Sequence, residues 1–274
     1  MVHSKQEIEG AVEKSKEVVR EAFSKFAVED MAITWTGGKD SGLALWLIRQ
    51  VCQEDGQQLP RVMTIDEFDT FNEIHSFMEK YSEEWGFDLD WRRNDDVIQA
   101  AGEELNAKVL VEDLNDRNKA ELKRIEYDLD AFPFEAESYV GNHLMKTVVF
   151  NTYLEEKAVK AVFQGLRRDE QAARIQDTYF EHKEAAHLIP DHIRIKPILH
   201  FTERLLWDTY ELYGIPYCVL YEQGYRSLGA KTTSAIGETG VPAWEQDLEN
   251  TEERAGRRQD KEKMMERLRQ LGYM

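Results

Sequence analysis

The sequence predicts an α/β fold: a doubly wound, mostly parallel sheet with helices on both faces. Two observations carry this expectation. From residue 31 onward, strand-like and helix-like patterns alternate as β-α-β-α-β, the order that builds a parallel sheet. A glycine-rich turn, "TGGKDSG" at 36–42, joins the apolar stretch "MAITW" to the helix-like "LALWLIRQV".

The elements follow in order. Residues 5–26 place Ile8, Val12, Val19, Phe23 and Phe26 on one face, which predicts an N-terminal amphipathic helix within residues 1–28. The α/β domain is expected over 29–240. In it "MAITW" is a short buried strand, "SGLALWLIRQVCQ" a helix, "RVMTID" (61–66) a strand and "TFNEIHSFMEKYSEEW" a helix. "FDLDWRR" and "AKVLVED" are weaker strands on either side of "NDDVIQAAGEEL". Residues 112–140 are acidic and irregular, and read as an insertion or mobile loop beside the site. A helix around "HLMKTVVFNTYLEEK", the strand "AVKAVFQG" (158–165) and the extended "HIRIKPILH" (192–200) come next. "ERLLWDTYELYG" is a helix stopped by Gly214 and Pro216, and 241–274 is a charged tail with a terminal helix.

Composition narrows the function classes. A net charge of −18 argues against a nucleic-acid partner, and it requires a local basic pocket for any anionic substrate. No apolar run approaches the ~20 residues that span a bilayer. "MVHSKQEIEG" lacks the basic-then-apolar layout of a secretory signal, so the expected compartment is the cytoplasm. Two cysteines, Cys52 and Cys218, make neither a disulfide framework nor a cysteine metal site. His182, His187, His192 and His200 follow no usual ligand spacing.

The glycine loop carries the chemistry. Ligands of open parallel sheets sit outside the carboxyl ends of the strands, where "TGGKDSG" lies. Gly37 and Gly38 allow close backbone approach, and the helix start offers unpaired amides and a partial positive charge. Lys39 adds a full charge; Thr36 and Ser41 add hydroxyls. The run is neither G-x-x-x-x-G-K-[ST] nor G-x-G-x-x-G, and a tight turn capped by Ser41 is the alternative reading. Further along, Arg167, Arg168 and Arg174 follow Gly165 at a strand end in an otherwise acidic chain. Guanidinium forks suit phosphate and sulfate; an ion-pair cluster with Asp169 and Glu170 is the alternative.

"TWTGGKDSGLAL" resembles the S-G-G-K-D-S loop of the PP-loop ATP pyrophosphatases, the adenine nucleotide α-hydrolase-like superfamily, with Thr36 in place of Ser. "LMKTVVFNTYLEEKAVKAVFQGLRRDEQAAR" is similar to PAPS reductases and to subunit 2 (the small subunit) of sulfate adenylyltransferase. "IPYCVLYEQGYRSLGAK" is similar to PAPS reductases and FAD synthetases, and the tail "ERAGRRQDKEKMMERLRQLGYM" to the end of the sulfate adenylyltransferase small subunit. The resemblance implies an ATP-cleaving enzyme of adenylyl chemistry. It gives Lys39, Arg167 and Arg168 catalytic roles. Thr36, Gly37, Gly38, Asp40, Ser41, Gly165 and Arg174 join them in nucleotide binding, and Asp66 is placed near the adenosine, with a helix-capping acid as its alternative reading. A second loop of Tyr225, Arg226, Ser227, Gly229 and Lys231 is expected to close over phosphates, and Mg²⁺ is expected with Asp40 as a ligand.

PAPS reductases attack with a thiolate in a C-terminal Glu-Cys-Gly-x-His motif, whereas this sequence ends "RLRQLGYM" and has no cysteine after Cys218. Adenylyl transfer without a covalent intermediate is therefore the expected reaction, with ATP and an oxyanion, sulfate first, as substrates. A GTPase large subunit or self-association supplies the partner. FMN adenylyl transfer, and a nucleotide-binding protein that has lost the reductase cysteine, stand as alternatives.

Overall fold

A computed structural model describes residues 1–135, 138–171, 174–251 and 253. Its centre is a six-stranded sheet of strand order β3-β2-β1-β6-β8-β7. The strands are β1 (Met31–Thr34), β2 (Arg61–Ile65), β3 (Leu89–Arg92), β6 (Ala161–Phe163), β7 (Phe180–Lys183) and β8 (His192–Ile195). Every pairing is parallel except β7 with β8. In β1 and β6, Ile33 sits beside Phe163 in the register and both are fully buried. Each such side chain is worth about 2 kcal/mol of burial.

The amphipathic pattern at the N-terminus becomes α1 (Lys5–Lys25), opened by a capping box of Ser4 and Glu7. Its apolar stripe of Ile8, Val12, Val19 and Ala22 is buried in the main core. Helices α2 (Lys39–Asp55) and α3 (Asn72–Trp85) each end on a glycine, Gly56 and Gly86, at φ of 65° and 70°. Such left-handed helix ends favour glycine because it lacks a Cβ. Helix α8 (Glu203–Tyr213) starts at Thr202, whose hydroxyl accepts from the Leu205 amide, and stops at Gly214 as the sequence predicts.

Two expectations are corrected. "AKVLVED" does form β4 (Lys108–Leu110), but it pairs antiparallel with β5 (Ala131–Pro133) in a separate two-stranded sheet. Residues 112–140 do not read structurally as one irregular loop. They carry α5 (Asp116–Arg124) and β5, and with α4 (Asp95–Ala100) they bury Val109, Leu122, Phe132 and Phe134 in a second core. Leu114, Leu122, Ile125 and Phe132 are spread among acidic residues, so neither helical nor strand periodicity stands out there. Strand β7 was not expected; its sequence, "FEHK", is mostly polar because it lies at the sheet edge.

The helix expected around 143–157 is a composite. Short α6 (Tyr139–Asn142) runs into a π-helical turn at His143–Val148 and then α7 (Val149–Lys157). On the other side of the sheet, Trp207 packs edge-on to Tyr221 and Trp244 in the core, not in a site. The terminal helix expected beyond residue 253 lies outside the described residues.

Candidate active site

Strand order reverses between β1 and β6: the chain winds outward from β1 through β2 to β3, then returns to β1's other side. A crevice opens at the carboxyl ends of such a pair. The 36–42 loop fills it from the β1 side, and residues 164–170 face it from the β6 side.

The loop is held rigidly. Gly37 takes φ 71°, and a Cβ there would come within 2.8 Å of Ile74 Cγ2, so glycine is required twice over. Ser41 closes the turn on itself: its hydroxyl accepts from the Thr36 amide at 3.1 Å and donates to the Gly38 carbonyl at 3.1 Å. The N-cap of α2 is Gly38, with no side-chain cap, so the capping role considered for Ser41 is not what it performs. The Lys39 peptide is gripped on both sides. Its N–H donates to Tyr221 Oη at 2.7 Å, and its carbonyl accepts from Tyr210 Oη at 2.6 Å. Burial drives the Tyr221 phenol up to about 12, so it stays neutral. Gly165 brings β6 against this turn. A Cβ on it would lie 2.5 Å from the backbone of Asp40 and Ser41.

Lys39 and Arg167 are almost wholly buried, at 2 % and 1 % exposure. Lys39 Nζ donates to Glu253 at 2.6 Å and to the Arg226 carbonyl at 3.0 Å. Arg167 donates to the other oxygen of Glu253 at 2.6 Å, to Asp169 at 2.8 Å, and pairs with Asp40. Burial alone would neutralise Lys39, but Glu253 and Glu203 outweigh it and raise its pKa. Burial likewise opposes the Glu253 charge, yet Lys39 and Arg167 hold its carboxyl far below the ordinary range. Both readings of the arginines therefore meet in Arg167: it is ion-paired with Asp169, and it points into the crevice.

The other expected residues divide. Arg174 pairs with Glu170, whose carboxylate also accepts from the Arg167 amide at 3.3 Å. Asp40, Glu170 and Glu253 bring carboxylate oxygens within 4.8 Å of one another, an all-oxygen donor set that suits a hard divalent cation. Among the described residues no other such group of His, Cys, Asp and Glu occurs, and the histidines are scattered: His200 bonds the Ala11 carbonyl, His182 pairs with Asp191. Arg168 is placed away from the other cations. Its guanidinium turns away to the Asp177 carbonyl at 3.0 Å and lies over the Tyr179 ring, while its amide donates to the Leu199 carbonyl at 3.1 Å. Asp66 caps its own turn, accepting from the Phe68 amide at 2.9 Å.

In the second loop Arg226 is buried but faces Glu203 at 2.7 Å and the backbone of 247–251, so it braces the site instead of lining it. Tyr225 packs edge-on to Phe71. Lys231 is exposed, and its amide is fixed to the Asp69 carbonyl at 2.7 Å. Gly229 donates to Ser234, and Ser227 is half-buried. Asp69, Glu203, Tyr210, Tyr221 and Glu253 were missed. Only Asp69 had a signal, its place three residues after Asp66 in "IDEFDTF".

Residues 30–235 match the family model described as phosphoadenosine phosphosulfate reductase domain. The chain belongs to that family. Within it, the chain is 24% identical over 238 residues to sulfate adenylyltransferase subunit 2 of Pseudomonas fluorescens, covering 80% of this chain and 68% of the relative. It is 32% identical over 100 residues to the phosphoadenosine 5'-phosphosulfate reductase of Xanthomonas campestris, a match spanning 36% of this chain and 39% of that protein. Two solved structures share its fold. Candida glabrata FMN adenylyltransferase, bound to FAD and pyrophosphate, superposes with TM-score 0.66 at 18% identity, over 94% of this chain and 93% of its own. Candida auris phosphoadenylyl-sulfate reductase does so at 0.56 and 16%, over 86% and 99%. The fold expected from the sequence is therefore borne out, with neighbours in the PP-loop group. Both cysteines, Cys52 and Cys218, are buried, and burial pushes Cys52 up to about 11 and raises Cys218.

Proposed function

We propose that this chain is an ATP-dependent adenylyltransferase of the sulfate adenylyltransferase subunit 2 type, converting ATP and sulfate into adenylyl sulfate and pyrophosphate. The observation that carries the reading is the convergence of two buried cations, Lys39 and Arg167, on one carboxylate at the sheet's switch point. Two cations that grip a carboxylate oxygen each are equipped to grip a phosphate. A sulfate oxygen attacks the α-phosphorus in line, the bond from that phosphorus to the bridging oxygen breaks, and pyrophosphate leaves. Lys39 and the first-turn amides of α2 hold the leaving phosphates, while Arg167 neutralises charge on the attacked group; no covalent intermediate is needed. Asp40 and Glu170 are the residues to hold Mg²⁺, which would supply further charge neutralisation on the phosphates. The relative is by name one subunit of an assembly; we assign this chain a GTPase large subunit or a second copy of itself as partner. The cytoplasm, with ATP and a reducing poise that keeps both thiols free, is the proposed compartment; no helix among the described residues is long and apolar enough to cross a membrane.

FMN adenylyl transfer is the second reading, favoured by the "IPYCVLYEQGYRSLG" stretch. One experiment separates the two: pyrophosphate release from ATP with sulfate, with FMN and with no acceptor. Lys39→Ala should abolish release while retaining the native circular dichroism spectrum, and Arg168→Ala should retain most of it. Undiminished release in Lys39→Ala sinks the assignment.

A further inference from the structure

Glu253 lies far from the glycine loop in sequence, in a tail that a solvated helix would explain equally well from residues alone. In space it is the counter-ion of both cradle cations. Lys39 Nζ and Arg167 Nη2 each donate to one of its oxygens at 2.6 Å, and its side chain is 5 % exposed. The remaining carboxylates there are Asp40 and Glu203, in the first turns of α2 and α8, and Asp169 and Glu170 in the loop after β6. Glu253 sits at the end of a strand of chain whose described residues, 247–251 and 253, form turns but no helix or sheet strand. That strand is clasped by one guanidinium: Arg226 donates to the carbonyls of Leu248 at 3.2 Å and Thr251 at 3.0 Å.

We infer that residues 247–251 and Glu253 belong to a strap, that the Glu253 carboxylate occupies the phosphate subsite between Lys39 and Arg167, and that a phosphate ligand must displace it to bind. The inference rests on the phosphate-gripping role proposed for the loop. With Glu253 in place, the crevice is acidic overall and offers an anion no uncovered cation from that pair. With Glu253 gone, two desolvated cations face the same point. Ligand affinity is then lowered by the fraction of molecules in which the strap is closed. Arg226 is itself part of the second loop, so its grip ties the strap to that loop and, through Glu203, to the start of α8. Movement of that loop therefore loosens the strap.

The test measures inorganic pyrophosphate binding by titration calorimetry on the full chain, without and with Mg²⁺, in parent, Glu253→Gln, Glu253→Asp and Lys39→Ala proteins. Glu253→Gln keeps the shape and drops the charge, and is expected to bind pyrophosphate at least about tenfold more tightly in both conditions. Glu253→Asp keeps the charge and should stay near the parent. Equal affinity in parent and Glu253→Gln overturns the strap while leaving the loop's role intact, provided Lys39→Ala binds more weakly. Weaker binding in Glu253→Gln also overturns it, and makes Glu253 a ligand-holding group. No binding by any protein overturns the strap and the phosphate-gripping loop together. Thermal unfolding of Glu253→Gln within a few degrees of the parent keeps misfolding from imitating any of these results.

Discussion

Gly165→Ala tests whether the two halves of the crevice are in backbone contact. The added Cβ would meet the Asp40 carbonyl carbon and oxygen and Ser41 Cα, all at 2.5 Å, where ordinary contact begins at 3.4 Å. None of these atoms can swing aside as a side-chain tip would. The β6 end or the first turn of α2 must retreat by about an ångström, an overpacking strain of about 1–3 kcal/mol. Gly38→Ala is the control. Gly38 has φ −79° and ψ 159°, open to any residue, and its Cβ would find Thr36 Oγ1 at 3.4 Å and Tyr221 Oη at 3.6 Å. An alanine there should leave stability level or raise it by about 0.4–1 kcal/mol, through a less flexible unfolded chain. Urea denaturation followed by tryptophan fluorescence reads both midpoints. We expect Gly165→Ala to fall by about 2 kcal/mol and Gly38→Ala to hold. Pyrophosphate binding should weaken in Gly165→Ala, because the first turn of α2 is displaced from the β6 end. A Gly165→Ala unfolding free energy within about 0.5 kcal/mol of the parent would refute the claimed backbone contact.

Other outcomes follow from single contacts. Tyr221→Phe removes the acceptor of the Lys39 amide inside a fully buried site, so stability should drop by about 1–3 kcal/mol and pyrophosphate binding should weaken. An unchanged urea midpoint contradicts that. His192 is buried at 1 % exposure, and burial, only partly offset by its bond to the Pro190 carbonyl, lowers its pKa to about 4. The unfolded chain takes up this proton below about 6.5 while the folded chain refuses it, so stability should decline as pH falls from 6.5 towards 4. His192→Asn should flatten that decline; an equally steep pH profile counts against the assignment.

How much of this was legible in the sequence depends on distance along the chain. The glycine loop, α2, the buried strands and the α8 stop were readable because each is set by local rules: φ demands, period and caps. Burial of Lys39 was not, since nothing in "TGGKDSG" announces Glu253 or Tyr221. Arg167 and Arg168 are adjacent and chemically identical, yet one faces the crevice and the other the surface. The Arg168 guanidinium is taken up by the Asp177 carbonyl and the Tyr179 ring, partners outside any motif. The 112–140 segment failed for another reason: its apolar residues face a small core of their own, too few per turn to leave a period. Edge strand β7 needed knowledge of its neighbour β8 to be recognised at all.

The double grip on the Lys39 peptide has a consequence for how the protein is made. Tyr210 and Tyr221 lie 171 and 182 positions beyond the residue they hold. The glycine loop emerges early in synthesis, but its two hydroxyl clamps arrive only when most of the chain has been made. Closing contacts of such separation is a late and slow event in folding. A nascent or truncated chain that stops before α8 carries the loop's letters without its shape. Assembly of the two clamps thus reports that the chain has been made at least as far as Tyr221.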